Sequence, residues 1–176
     1  CNQAGDNGDV ALAVSKDGIH FEKKGIIIDH KDGGAWTSYN VGTPDIYKES
    51  DMWYVTFHGF GNVNGKRDVQ IGVAYGTDLF NLTIHPGPVI ETSDDKTAHD
   101  SGTCGPRAIL KYGDYYYMCY EVSTDSTTVY YDFQHASWGH MFARSKDMIH
   151  WEKAPKALHE FTEWDYAYDG PAWLTL

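Results

Sequence analysis

The chain has 176 residues and a formal net charge of −11, with 25 Asp and Glu against 14 Lys and Arg, and no basic cluster longer than the Lys23-Lys24 pair. Nucleic acid and anionic membrane surfaces are therefore poor partners, and a polyanionic substrate is disfavoured. Hydrophobic residues at 41% and aromatic residues at 15% suit a folded domain with a core, and no apolar run reaches the roughly 18 residues of a membrane-spanning helix.

Taken in chain order, strand-like sequence begins at Val10 and runs into "SKDGIHFEK" at 15–23, a turn followed by a short charged strand; 10–29 therefore reads as the outer half of a unit. The next unit, 36–86, opens with "GTPDIYKESDMWYVTFHG" at 42–59. It continues through "VQIGVAYGTD" into "YGTDLFNLT" at 75–83. A further unit, 99–156, repeats the phrase as "CGPRAILKYGDYYYMCYEV" at 104–122, then "GHMFARSKD", and ends on "SKDMIHWEK" at 145–153. The segment 164–176, with "YDGPAWLTL", reads as the first strand of one more unit. Asp17, Asp78 and Asp147 mark the same turn at intervals of 61 and 69 residues, a repeat of about 65.

Within each unit the pattern is β. "DMWYVTF" and "DYYYMCY" are aromatic and β-branched runs behind Gly or Asp turn signals, "HFEKKG" and "HWEKAP" are wet outer strands, and no segment carries a helical period. About four antiparallel strands per repeat is the content of one β-propeller blade, which predicts an all-β fold. The repeated nonapeptide then lies at a blade's outer edge, where an Asp carboxylate caps the turn, a structural role.

The pairing of Pro-containing strand starts with blade ends "SKDGIHFEK" and "SKDMIHWEK" resembles the five-bladed β-propeller glycoside hydrolases: family 43, the invertase-like family 32, and relatives such as families 117 and 130. The resemblance implies a central funnel with acidic residues at the starts of the innermost strands. In family 43 these starts are Asp-Pro for the base, Asp for a residue that tunes the acid, and Glu-Gly-Pro for the acid. The match is partial. "DGP" at 169–171 puts Asp169 in the acid's place, "CGP" at 104–106 puts Cys104 there, and "TPD" at 43–45 has Thr43 where an Asp would stand, with Asp45 beyond the proline.

Glycoside hydrolysis needs one protonated carboxyl and one carboxylate in environments that push their pKa values apart. Asp45 and Asp169, at blade starts, and Glu121, directly after the apolar run "YYYMCY", are the candidate catalytic residues. The competing role for each is a carboxylate satisfied by backbone N–H groups in a turn. His58 is the counterpart of Glu121 in the preceding repeat, and Arg107 follows Gly105-Pro106, where it would bind a sugar hydroxyl, a carboxylate or a phosphate, or form an ion pair between blades. His140, with His99 and His135, lies in or beside predicted loops where a sugar would meet it. Trp36, Trp138 and Trp164 near blade entrances suit either sugar stacking or the core. The expected substrate-binding set is thus Trp36, His58, Arg107, Trp138 and His140, with no cofactor and no protein metal site read from the residues. Calcium at the axis is implied by the resemblance alone.

Propellers close with four to eight blades. Here 1–176 form a single domain of about two and a half to three blades, so the expectation is a portion of a longer protein, or two chains completing one another as a homodimer. Three cysteines (Cys1, Cys104, Cys119) lack zinc spacing and are too few for a disulfide scaffold. A leading Cys1 before "NQAGDNGD" matches the start of a mature lipoprotein as well as an excerpt. The functional expectation is an extracellular or periplasmic glycosidase acting on plant or algal oligo- or polysaccharides. The alternatives are a non-catalytic carbohydrate-binding propeller, suggested by Cys104 and Thr43, and a family 130-like mannoside phosphorylase.

Overall fold

The computed structural model describes residues 7–123 and 138–157, without the side chains at 66, 67, 103, 107 and 138. Ten strands make up these residues, with one 3₁₀ turn at Ala35–Thr37 and no α-helix among them. Strands β1 (Val10–Val14) and β2 (Glu22–Ile28) form an antiparallel hairpin. Next come β3 (Asn40–Glu49), β4 (Met52–Val63), β5 (Lys66–Gly76) and β6 (Thr83–Ile84), with β4, β5 and β6 each paired antiparallel with the one before. The same order recurs in β7 (Thr103–Tyr112), β8 (Tyr115–Ser123), β9 (Trp138–Ser145) and β10 (Trp151–Lys153). Two four-stranded blades result, joined where Val69 of β5 meets Thr103 of β7 in a single parallel pairing.

The repeated nonapeptide shows why the hairpin is the outer half of a blade. In the β1–β2 turn, Asp17 Oδ1 accepts the N–H groups of Ile19 and His20 at 2.9 and 2.8 Å, and His20 Nδ1 meets Oδ2 at 2.7 Å. In the β9–β10 turn, Asp147 does the same with Ile149, His150 and the His150 ring at 2.9, 2.8 and 2.8 Å. Asp78 caps the β5–β6 turn through the N–H of Phe80 at 3.0 Å. All three turns join a third strand to a fourth, so β1 and β2 are the last two strands of their unit.

Two cores hold the units together. Ile71 and Ile90 of the first blade pack with Cys104, Met118, Tyr120, Val122, Met141 and Ala143 of the second. Val10, Ile28, Trp36, Val41, Val55, Phe57 and Ala74 fill the space between the hairpin and the first blade. Alternation along β4 serves the second core, because Val55 and Phe57 point to that face while Thr56 and His58, also buried, point to the other. Trp36, expected either at a sugar cleft or in the core, lies in the core. Its ring stacks on Phe57 at 5.7 Å between centroids, and it is seated on Gly59 and Gly72, whose missing side chains make the room.

Candidate functional site

Register brings one end of the first three strands of each blade to the same edge. There Gly42 of β3 faces His58 of β4, and His58 faces Ile71 of β5. In the second blade Gly105 of β7 faces Glu121 of β8, and Glu121 faces His140 of β9. Because β3 and β7 each begin their blade and adjoin one another, they are the innermost strands. The equivalence of His58 and Glu121 expected from the repeat is therefore met at the level of register.

His58 is 4% exposed and held at both ring nitrogens. Its Nε2 lies 3.0 Å from Asn40 Oδ1 and its Nδ1 2.8 Å from Thr43 Oγ1. With the amide oxygen as acceptor, Nε2–H donates to Asn40, while Nδ1 shares a hydrogen bond with the Thr43 hydroxyl. Thr43 sits in the irregular stretch between Gly42 and Asp45 with φ 42°, a left-handed conformation that is strained for a β-branched residue. The imidazole thus clamps a strained turn on the innermost strand.

Glu121 and His140 are 7% and 5% exposed. Asp45 lies elsewhere: it faces Thr56, on the side of the Gly42 position away from the edge, and is half-buried. Burial pushes its carboxyl pKa up from 3.8, and the N–H groups of Ile46 and of Ile109 in the next blade offset only part of that rise. Its carboxylate therefore joins two innermost strands. Arg107 occupies the irregular stretch of β7 between Pro106 and Ala108, and Trp138 opens β9 opposite Ser123. Asp169, Trp164 and His135 lie outside the described residues.

Two further buried acids stand at this edge, Asp68 and Asp100, 7% and 4% exposed. Asp68 Oδ2 accepts the Thr92 hydroxyl at 3.1 Å, and Asp100 Oδ2 meets Lys153 Nζ at 2.6 Å. Neither belongs to a recognisable motif, but "DVQIGVAYG" carried one signal, a charge at the boundary of an apolar strand. Cys104 is fully buried, and burial pushes its thiol pKa up, so it stays protonated and unreactive. Among the described residues, Asp9, Asp29 and His30 offer three ligand-type atoms within 4.8 Å of one another. Asp9 Oδ1 accepts the His30 N–H at 2.9 Å and meets its Nδ1 at 2.8 Å, which ties the hairpin's two ends together.

No family model and no curated protein matches the chain by sequence. Solved structures do match. BT0996, in an RGII complex, superposes with a TM-score of 0.72 at 20% identity, over 91% of this chain and 47% of that protein. Zg3597, a family 117 glycoside hydrolase of the marine bacterium Zobellia galactanivorans, gives 0.62 at 20% identity, over 84% and 41%. The β-1,2-mannobiose phosphorylase of Listeria innocua, in complex with β-1,2-mannobiose, gives 0.56 at 17% identity, over 82% and 35%. The chain spans less than half the length of each of these. The chain has the fold of the five-bladed β-propeller glycoside hydrolases and supplies about two and a half to three of the blades.

Proposed function

We propose that the chain is part of a glycosidase that cleaves plant or algal oligo- or polysaccharides with paired carboxylates in the propeller's central funnel. The observation that carries this reading is Glu121, an acid buried beside the innermost strand at the edge where both blades' strand ends gather. Departure of a glycosidic oxygen requires a carboxyl group that delivers a proton, and Glu121 is the acid placed to serve there. Asp45 and Asp169 are its candidate partners. Arg107, His140 and Trp138 are the groups proposed to meet the sugar.

A panel of aryl glycosides of arabinose, xylose, galactose, fructose and mannose tests the reading. Turnover is expected for at least one, with Glu121→Gln lowering kcat by about 10²–10⁴-fold, the range of a general acid or base. No turnover by a full-length protein, together with glycan binding that survives Glu121→Gln, would favour a binding propeller instead. The likeness to a mannobiose phosphorylase supports a second reading. Sugar 1-phosphate released only when phosphate is supplied would establish it in place of hydrolysis.

A further inference from the structure

Both blades carry a glycine on the innermost strand directly opposite the buried polar residue of the second strand, and in both the missing side chain is what that residue uses. A Cβ added at Gly105 would fall 2.7 Å from Oε1 and 3.0 Å from Cγ of Glu121. A Cβ added at Gly42 would fall 2.9 Å from Cε1 and 3.2 Å from Nε2 of His58. The shorter distance of each pair is closer than real Cβ atoms approach a neighbour, and the nearest atoms all belong to the one facing side chain. Neither glycine is among those with positive φ, so backbone conformation does not require it.

We propose that Gly42 and Gly105 are positioning residues of the site. Each opens a gap one side chain wide in the innermost strand, and the second strand lays its functional group across that gap, an imidazole in one blade and a carboxylate in the next. The hydrogen bonds of His58 to Asn40 and Thr43, both on β3, show the side chain lying over that strand. Glu121 takes the equivalent place over β7, so a second-strand acid reaches the side of the sheet nearest the axis. Seated in that gap, the carboxylate lies against the backbone of the innermost strand, a fixed placement of the kind that a proton-transferring group needs.

The functional half of this inference rests on Glu121 being the site acid; the geometric half does not, and the test separates them. Two double-mutant cycles are measured by thermal unfolding of the full chain. Gly105→Ala is expected to lower Tm by about 2–4 °C in the wild-type background, the shift that corresponds to about 1 kcal/mol at this size. In the Glu121→Ala background the same change is expected to be neutral or stabilising, because Ala is otherwise favoured over Gly in a strand. Gly42→Ala with His58→Ala forms the second cycle, with the same reversal expected. Equal losses in both backgrounds would overturn the proposal, since the glycines would then serve something other than the facing residue.

On any glycoside that the wild type turns over, Gly105→Ala is expected to lower kcat at least about 10²-fold with little change in KM. Glu121→Asp, one methylene shorter, should restore part of that loss in the Gly105→Ala protein. Full kcat in Gly105→Ala would overturn the functional half. A wild type silent on every glycoside would overturn the glycosidase reading, and the unfolding cycles would still decide the geometry.

Discussion

Asp147 shows how a single residue ties a repeat to its turn. Burial works against its charge, but the N–H groups of His150 and Ile149, the His150 ring and the Ser145 hydroxyl together hold its pKa well below the usual 3.8. A carboxylate whose folded pKa is depressed adds stability above its unfolded pKa, and that contribution is lost as pH falls from about 4 toward the folded value. Asp147→Ala should therefore cost about 1 kcal/mol at pH 7, a modest figure because the side chain is half exposed. The difference from wild type should shrink progressively in urea unfolding as pH is lowered from about 4 to about 2. Asp17 has the same contacts, with the His20 ring as the main cause of its lowered pKa. Exposed carboxylates so held are turn caps rather than proton donors.

At the scale of the element, the first blade depends on glycines of a different kind from Gly42 and Gly105. A Cβ at Gly72 would lie 2.3 Å from the Trp36 ring, and one at Gly61 2.1 Å from the backbone oxygen of Ala35. Neither neighbour is a flexible side-chain end, so β4 and β5 could accept the methyl only by displacing the 3₁₀ turn or the ring. Gly61→Ala and Gly72→Ala should each destabilise by about 1–3 kcal/mol, read as a lower urea midpoint with unchanged slope. Restoring stability by Trp36→Ala in the Gly72→Ala protein would identify the ring as the cause.

For the whole molecule, the hairpin is the exposed flank. Ile19, Phe21 and Ile26 are 77%, 62% and 55% exposed, large apolar groups on or beside a two-stranded sheet. Exposed apolar surface of this kind is adhesive. Light scattering on this 19.8 kDa chain should report a mass above that of one copy, and Phe21→Lys with Ile26→Lys should shift the mass back toward it. A single-copy mass for the unaltered chain would contradict the expectation.

Blade content and turn positions were legible in the amino-acid order because they rest on local physics. "DMWYVTF" can bury its faces only as a strand, and a Ser-Lys-Asp turn satisfies its own backbone within a few residues. Even the equivalence of His58 and Glu121 followed from counting along the repeat. Only the tertiary structure decided that Trp36 belongs to the core, that Asp45 bridges to Ile109, that Thr43 is strained, and that Asp68 and Asp100 join the buried acids. It also decided that Gly42 and Gly105 make room for facing side chains, where the sequence offered only small residues at strand starts. The reason is one of range. Alternation and turn chemistry act between neighbours a few residues apart, whereas burial, pKa and contact across a missing side chain depend on which strand lies opposite, and that is settled only when the blades pack.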